Sequence, residues 1–161
     1  MSGTLISYLL SHSPQFNGSL FLHDISTADL AWTEKVDIER LAKPLPDHAH
    51  LVVECSGSVA GLATALQVVR KAGVVCVYGV PVSGRPLPID AHDLFMREIT
   101  VFASLAGATE QTMTQAISYL SEDESFFEGL LGRHISLEEL PQQLTHWGPL
   151  PGTRTIVMVE E

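Results

Sequence analysis

The feature that most constrains this chain is the alternation of unbroken apolar runs with stretches of helical periodicity. Leu51-Val52-Val53-Glu54-Cys55 and Val74-Val75-Cys76-Val77-Tyr78 lack the in-out alternation of a half-exposed strand. Strands written that way are buried on both faces, which parallel sheets require. Ile99–Ala103 and Arg154–Val159 read as further strands. Between them, Val59, Leu62, Leu66 and Val69 mark one face of a helix expected to stop at Lys71-Ala72-Gly73, a basic last turn followed by glycine. A short helix is expected near Ala91–Met96. Another carries Met113, Ala116, Ile117 and Leu120, and Ser136-Leu137-Glu138-Glu139 caps one more. Strands alternating with amphipathic helices define an α/β chain with a parallel sheet covered on both sides.

The N-terminal third follows the same grammar. Leu5, Ile6, Leu9 and Leu10 recur at helical spacing and stop before Ser13-Pro14. Asn17-Gly18 signals a turn, and Ser19–Asp24 reads as a short buried strand ending in an acid. Ser26-Thr27-Ala28-Asp29 resembles a helix-opening capping box. The segment from Glu34 to His50 has no period and is broken by Pro44 and Pro46, so it reads as irregular.

Composition narrows the function classes. The 161 residues carry nineteen acidic and nine basic side chains, a formal charge of −10. That sign repels phosphate backbones and anionic lipid, so neither nucleic acid nor a membrane surface is an expected partner. A dinucleotide is still allowed, because backbone N–H groups and one arginine can hold a diphosphate against the overall field. Cys55 and Cys76 both sit in apolar runs and read as core thiols rather than as a disulfide or zinc set. The opening Met1–Leu10 stretch has no basic region and is too short for a leader or a span, so a cytoplasmic location is expected.

Ligands of parallel sheets bind at the carboxyl ends of the strands. Asp24 ends its strand 21 residues after Gly3, about the spacing at which an acid accepts hydrogen bonds from an adenosine ribose; an Asp there is also an ordinary turn or cap residue. Gly57 allows close approach of a ligand or simply starts a helix. Gly79-Val80-Pro81 is a rigid turn with exposed backbone groups, or a plain loop. Ser104 lies in a run of small residues suited to a flat ligand or to another chain. Arg154 is a lone cation beside the last strand, either solvated or a clamp for phosphate oxygens. No catalytic constellation is visible: the seven histidines are scattered, and no Gly-x-Ser-x-Gly elbow occurs.

The ordered set Leu51–Ser58, Gly73–Pro81, Pro88-Ile89-Asp90, Leu94–Thr100 and Arg154-Thr155-Ile156 resembles the cofactor domain of zinc-dependent medium-chain alcohol and polyol dehydrogenases. The resemblance implies a Rossmann-like, doubly wound parallel sheet, with residues 1–161 forming a partial dinucleotide-binding domain. It implies NAD, with NADP less favoured, held by Gly3, Asp24, Cys55, Ser56, Gly57, Gly79, Val80, Pro81, Ser104 and Arg154. Of these, Asp24 would take the adenosine ribose and Arg154 the diphosphate, while backbone near Gly79, Val80 and Ser104 would face the nicotinamide. It also implies a homodimer paired through Ile99–Ala103. The family's zinc ligands belong to an N-terminal catalytic domain with no counterpart here, so no catalytic or metal-binding residue is assigned. Met1-Ser2-Gly3 fits the last three positions of a Gly-x-Gly-x-x-Gly loop, which makes Met1 an expected internal residue following a missing first strand. The segment between Asp24 and Leu51 is shorter than in the family.

Overall fold

The computed structural model describes residues 2–25, 38–87, 89–105, 107–145 and 154–159. The expected capping box at 26–29 lies outside them. The chain divides into two compact units, residues 1–39 with 108–161, and residues 40–107.

The second unit holds a parallel three-stranded sheet in the order β3-β4-β5, formed by β3 (Ala49–Glu54), β4 (Val69–Val77) and β5 (Thr100–Ala103). Val53 pairs with Cys76, and Cys76 pairs with Phe102. Helix α2 (Val59–Val68) connects β3 to β4, and α3 (Ala91–Arg97) precedes β5. The core forms where α2 meets the sheet: Ala65, Val69 and Val75 are buried, with Val52, Leu62, Leu66 and Ile99 packed around them. Cys76 is buried and Cys55 half-buried, so the expected core thiol is fully realised only at Cys76. All four residues of β5 are exposed.

Helix α2 stops earlier than its sequence implies. Its last carbonyls find partners outside the helix: Asp47 N–H donates to Gln67 O at 3.0 Å and His48 N–H to Val68 O at 2.8 Å. Arg97 donates to Leu66 O at 3.0 Å and to Val69 O. With these orphan groups satisfied, the chain turns extended at Val69. Lys71-Ala72-Gly73 therefore lies in an irregular start of β4, where Ala72 takes a left-handed φ of 55°. Gly73 is needed there because a Cβ would fall 2.5 Å from Val69 Cγ2 and 3.1 Å from His50 O.

In the first unit, α1 (Ser2–Ser11) carries the N-terminal apolar stripe. β1 is only Phe21–Leu22 and pairs with β2 (Glu39–Arg40), so the expected strand Ser19–Asp24 is shorter, and the segment read as irregular contributes a short strand. After α4 (Glu110–Glu122) and α5 (Glu124–Leu130), β6 (Leu131–Ser136) runs parallel to β7 (Arg154–Met158), with α6 (Leu140–Thr145) between them. Ser136 and Glu139 close the anticipated capping box reciprocally, at 2.9 and 3.3 Å. Tyr8, Phe126 and Leu130 make this unit's core, with the Tyr8 and Phe126 rings stacked 3.9 Å apart. The apolar face of α4 (Met113, Ile117, Leu120) is exposed.

Candidate functional site

The carboxyl ends of β3 and β4 carry two turns in backbone contact. Gly57, at φ 66°, has no room for a Cβ because Val80 O occupies that space. Gly79 has none because Gly57 N lies against it. Glycine is thus required at both positions, at Gly57 for conformation as well as space. Residues 78 and 79 are tied back to β3, Tyr78 N–H donating to Glu54 O at 2.9 Å and Gly79 N–H to the same oxygen at 2.7 Å. Beyond β4, Ser104 N–H donates to Val77 O at 3.0 Å, which carries the parallel pairing past the end of β5. Of the residues singled out in the sequence, Cys55, Ser56, Gly57, Gly79 and Val80 therefore meet at one edge, and Ser104 ends the adjoining strand. Val80 and Pro81 are exposed.

Glu54, Ser58 and Gly61 complete this edge, and none of them was singled out as a site residue. Glu54 is 5% exposed. One carboxylate oxygen accepts from Ser56 N–H at 2.7 Å, Gly57 N–H at 3.2 Å and the Ser56 hydroxyl; the other accepts from Gly57 N–H at 3.1 Å. Ser58 caps α2 by accepting from Gly61 N–H at 2.8 Å. A Cβ on Gly61 would come within 2.7 Å of Glu54 Oε1 and 2.9 Å of Ser58 Oγ. The signal for this trio was an acid ending an apolar run, followed by Ser-x-Ser and a helical glycine.

Burial, and then the charge of Glu54, push the Cys55 thiol up to about 11. Cys55 is therefore a neutral thiol at physiological pH and not a nucleophile.

The other candidates lie in the first unit. Gly3 sits in the first turn of α1, where an added Cβ would meet Leu22 Cδ1 at 3.8 Å, an ordinary packing distance. Asp24 is exposed two residues beyond β1. Arg154 opens β7 opposite Leu131. Among the described residues no group of His, Cys, Asp and Glu side chains could hold a metal ion, so the family's zinc has no ligand set among them. No helix among the described residues is long and apolar enough to cross a membrane.

A parallel α/β sheet whose strand ends form narrow glycine-lined turns is the architecture of a Rossmann-like, dehydrogenase-type cofactor-binding fold. The chain belongs to the zinc-binding dehydrogenase family, whose pattern matches residues 26–122. Three solved structures share the fold. Haloferax mediterranei glucose dehydrogenase in complex with NADP, Zn and gluconolactone is 16% identical at a TM-score of 0.74, covering 98% of this chain and 48% of that one. Benzyl alcohol dehydrogenase from Acinetobacter calcoaceticus is 16% identical at 0.74, covering 94% and 46%. L-Idonate 5-dehydrogenase from Escherichia coli is 19% identical at 0.72, covering 98% and 48%. The chain thus spans about half the length of the solved structures it matches. No curated protein matches it.

Proposed function

We propose that this chain is the nicotinamide-cofactor-binding half of an NAD-dependent alcohol or polyol dehydrogenase. The observation that carries this reading is the backbone contact between the Gly57 and Gly79 turns at the carboxyl ends of β3 and β4. A flat nicotinamide and its ribose need such a surface of peptide groups and small side chains. Gly3, Asp24 and Arg154 would serve the diphosphate and adenosine ribose. An acid after the strand accepts from the ribose hydroxyls and repels a 2′-phosphate, which favours NAD over NADP. The exposed edge strand β5 would pair with its counterpart in a second copy, giving a homodimer through a continuous sheet.

Hydride transfer from an alcohol is assisted by a group that polarises its oxygen, a role zinc fills in this family. The described residues offer no metal-ligand set, so the isolated chain is expected to bind cofactor with no or marginal turnover of a secondary alcohol. Titration with NADH, followed through Trp32 and Trp147 fluorescence, tests the reading. Saturable quenching by NADH, with NADPH weaker by about tenfold or more, is expected. Absence of saturable binding by either would remove the cofactor assignment.

A further inference from the structure

Glu54 grips both turns of the candidate site with different parts of one residue. Its carbonyl oxygen holds Tyr78 and Gly79, and its carboxylate holds Ser56 and Gly57. The Ser56 hydroxyl passes this restraint on to Ser58 Oγ at 2.8 Å and also accepts from Ser58 N–H at 3.1 Å. The network thus continues into the cap of α2. Because Gly57 and Gly79 touch through their main chains, a shift of either turn displaces the other.

Among the described residues no ion pair reaches the Glu54 carboxylate. A buried charge without a counter-ion is costly, and closing a four-residue turn does not demand one, since a serine or amide serves as a cap. What a carboxylate supplies is acceptor capacity on both oxygens, with no donor of its own. The Gly57 N–H uses it by lying across the two oxygens at 3.2 and 3.1 Å. An amide in its place would turn an NH2 group towards that N–H and force the Gly57 peptide to move.

We propose that Glu54 is a positioning residue for the nicotinamide end of the cofactor, its buried carboxylate fixing the Gly57 turn, and through it the Gly79–Val80 turn, in the shape the ring lies against. This rests on the cofactor reading above. It concerns one end of the ligand: the Glu54 network holds only the turns proposed to face the nicotinamide, so loosening it is expected to affect that end alone.

The experiment compares NADH with ADP-ribose, which lacks the nicotinamide, on the full 161-residue chain and its Glu54→Gln variant, with thermal unfolding recorded in parallel. Losing hydrogen bonds to a charged acceptor is expected to weaken NADH about tenfold or more, with ADP-ribose changing by less than about twofold. Ser56→Ala keeps the charge, removes one arm of the network and is expected to act in the same direction by about threefold; it decides the matter if Glu54→Gln does not fold. Equal weakening of both ligands, or no change in either, overturns the proposal and leaves Glu54 a fold residue. Wild-type chain that binds ADP-ribose and NADH equally well overturns it too, while the cofactor reading survives. Wild-type chain that binds neither removes that reading, and this one with it.

Discussion

At the scale of single residues, the decisive chemistry is the neighbourhood of a buried carboxylate. Cys55 shares a turn with Glu54, and burial first, then that charge, lift its thiol to about 11. Burial lifts the Cys76 thiol as well. A raised thiol means that the fold favours the neutral form. This contribution to stability is intact below the ordinary thiol value of about 8.5 and is lost as pH climbs through the raised one. Urea unfolding midpoints are therefore expected to fall between pH 8 and about pH 11. Alkylation of Cys55 by iodoacetamide should accelerate only towards the top of that range, and Glu54→Gln should bring its onset to lower pH. Onset near the ordinary thiol range in the wild-type chain would contradict this account.

At the scale of elements, the two ends of α2 depend on Gly61 beside its Ser58 cap and on Arg97 at its last turn. Gly61 stands in its first turn, and by propensity alanine there is better by about 1 kcal/mol. A Cβ would press on Glu54 Oε1 and Ser58 Oγ, so Gly61→Ala is expected to reverse that sign and destabilise by about 1–3 kcal/mol. Chemical denaturation measures it, and a stabilised variant would refute the crowding argument. Arg97 finishes the helix. It is largely buried and donates to Leu66 O and Val69 O, to Asp93 Oδ2 at 2.9 Å and to Asp47 Oδ1 at 2.7 Å. Arg97→Met would leave those carbonyls without a donor and is expected to cost about 2–3 kcal/mol. Arg97→Lys should restore little, because an ammonium cannot fork to four acceptors. Equal stability of the methionine variant would show that water replaces the guanidinium.

At the scale of the whole molecule, the described residues form three separate sheets, β1-β2, β3-β4-β5 and β6-β7. β5 is an edge strand with every residue exposed, Val101 and Phe102 among them. An uncharged apolar edge strand is a template for another strand. Under the homodimer proposal, sedimentation should show a concentration-dependent dimer, and Val101→Lys should shift it to monomer by placing like charges across the paired edges. A wild-type chain that remains monomeric at high concentration, or a dimer indifferent to that change, would exclude β5 as the interface.

The sequence by itself determined β3, β4, β5 and β7, most of the helices and the parallel class, because an apolar run without alternation marks a parallel strand and one buried helix face leaves a 3.6-residue stripe; β2 and β6 carry no such run and were not legible in it. It also located the Cys55–Gly57 and Gly79–Val80 turns, since glycine after a strand reports a local backbone demand. Tertiary structure alone decided the end of α2, the length of β1 and the role of Glu54. Arg97 and Asp47 reach the helix end from segments distant in sequence, and no local pattern records which carbonyls they will satisfy. Glu54 looked like an exception in an apolar run until Ser56, Gly57 and the β4 turn closed around it. A buried charge owes its place to donors that only folding assembles.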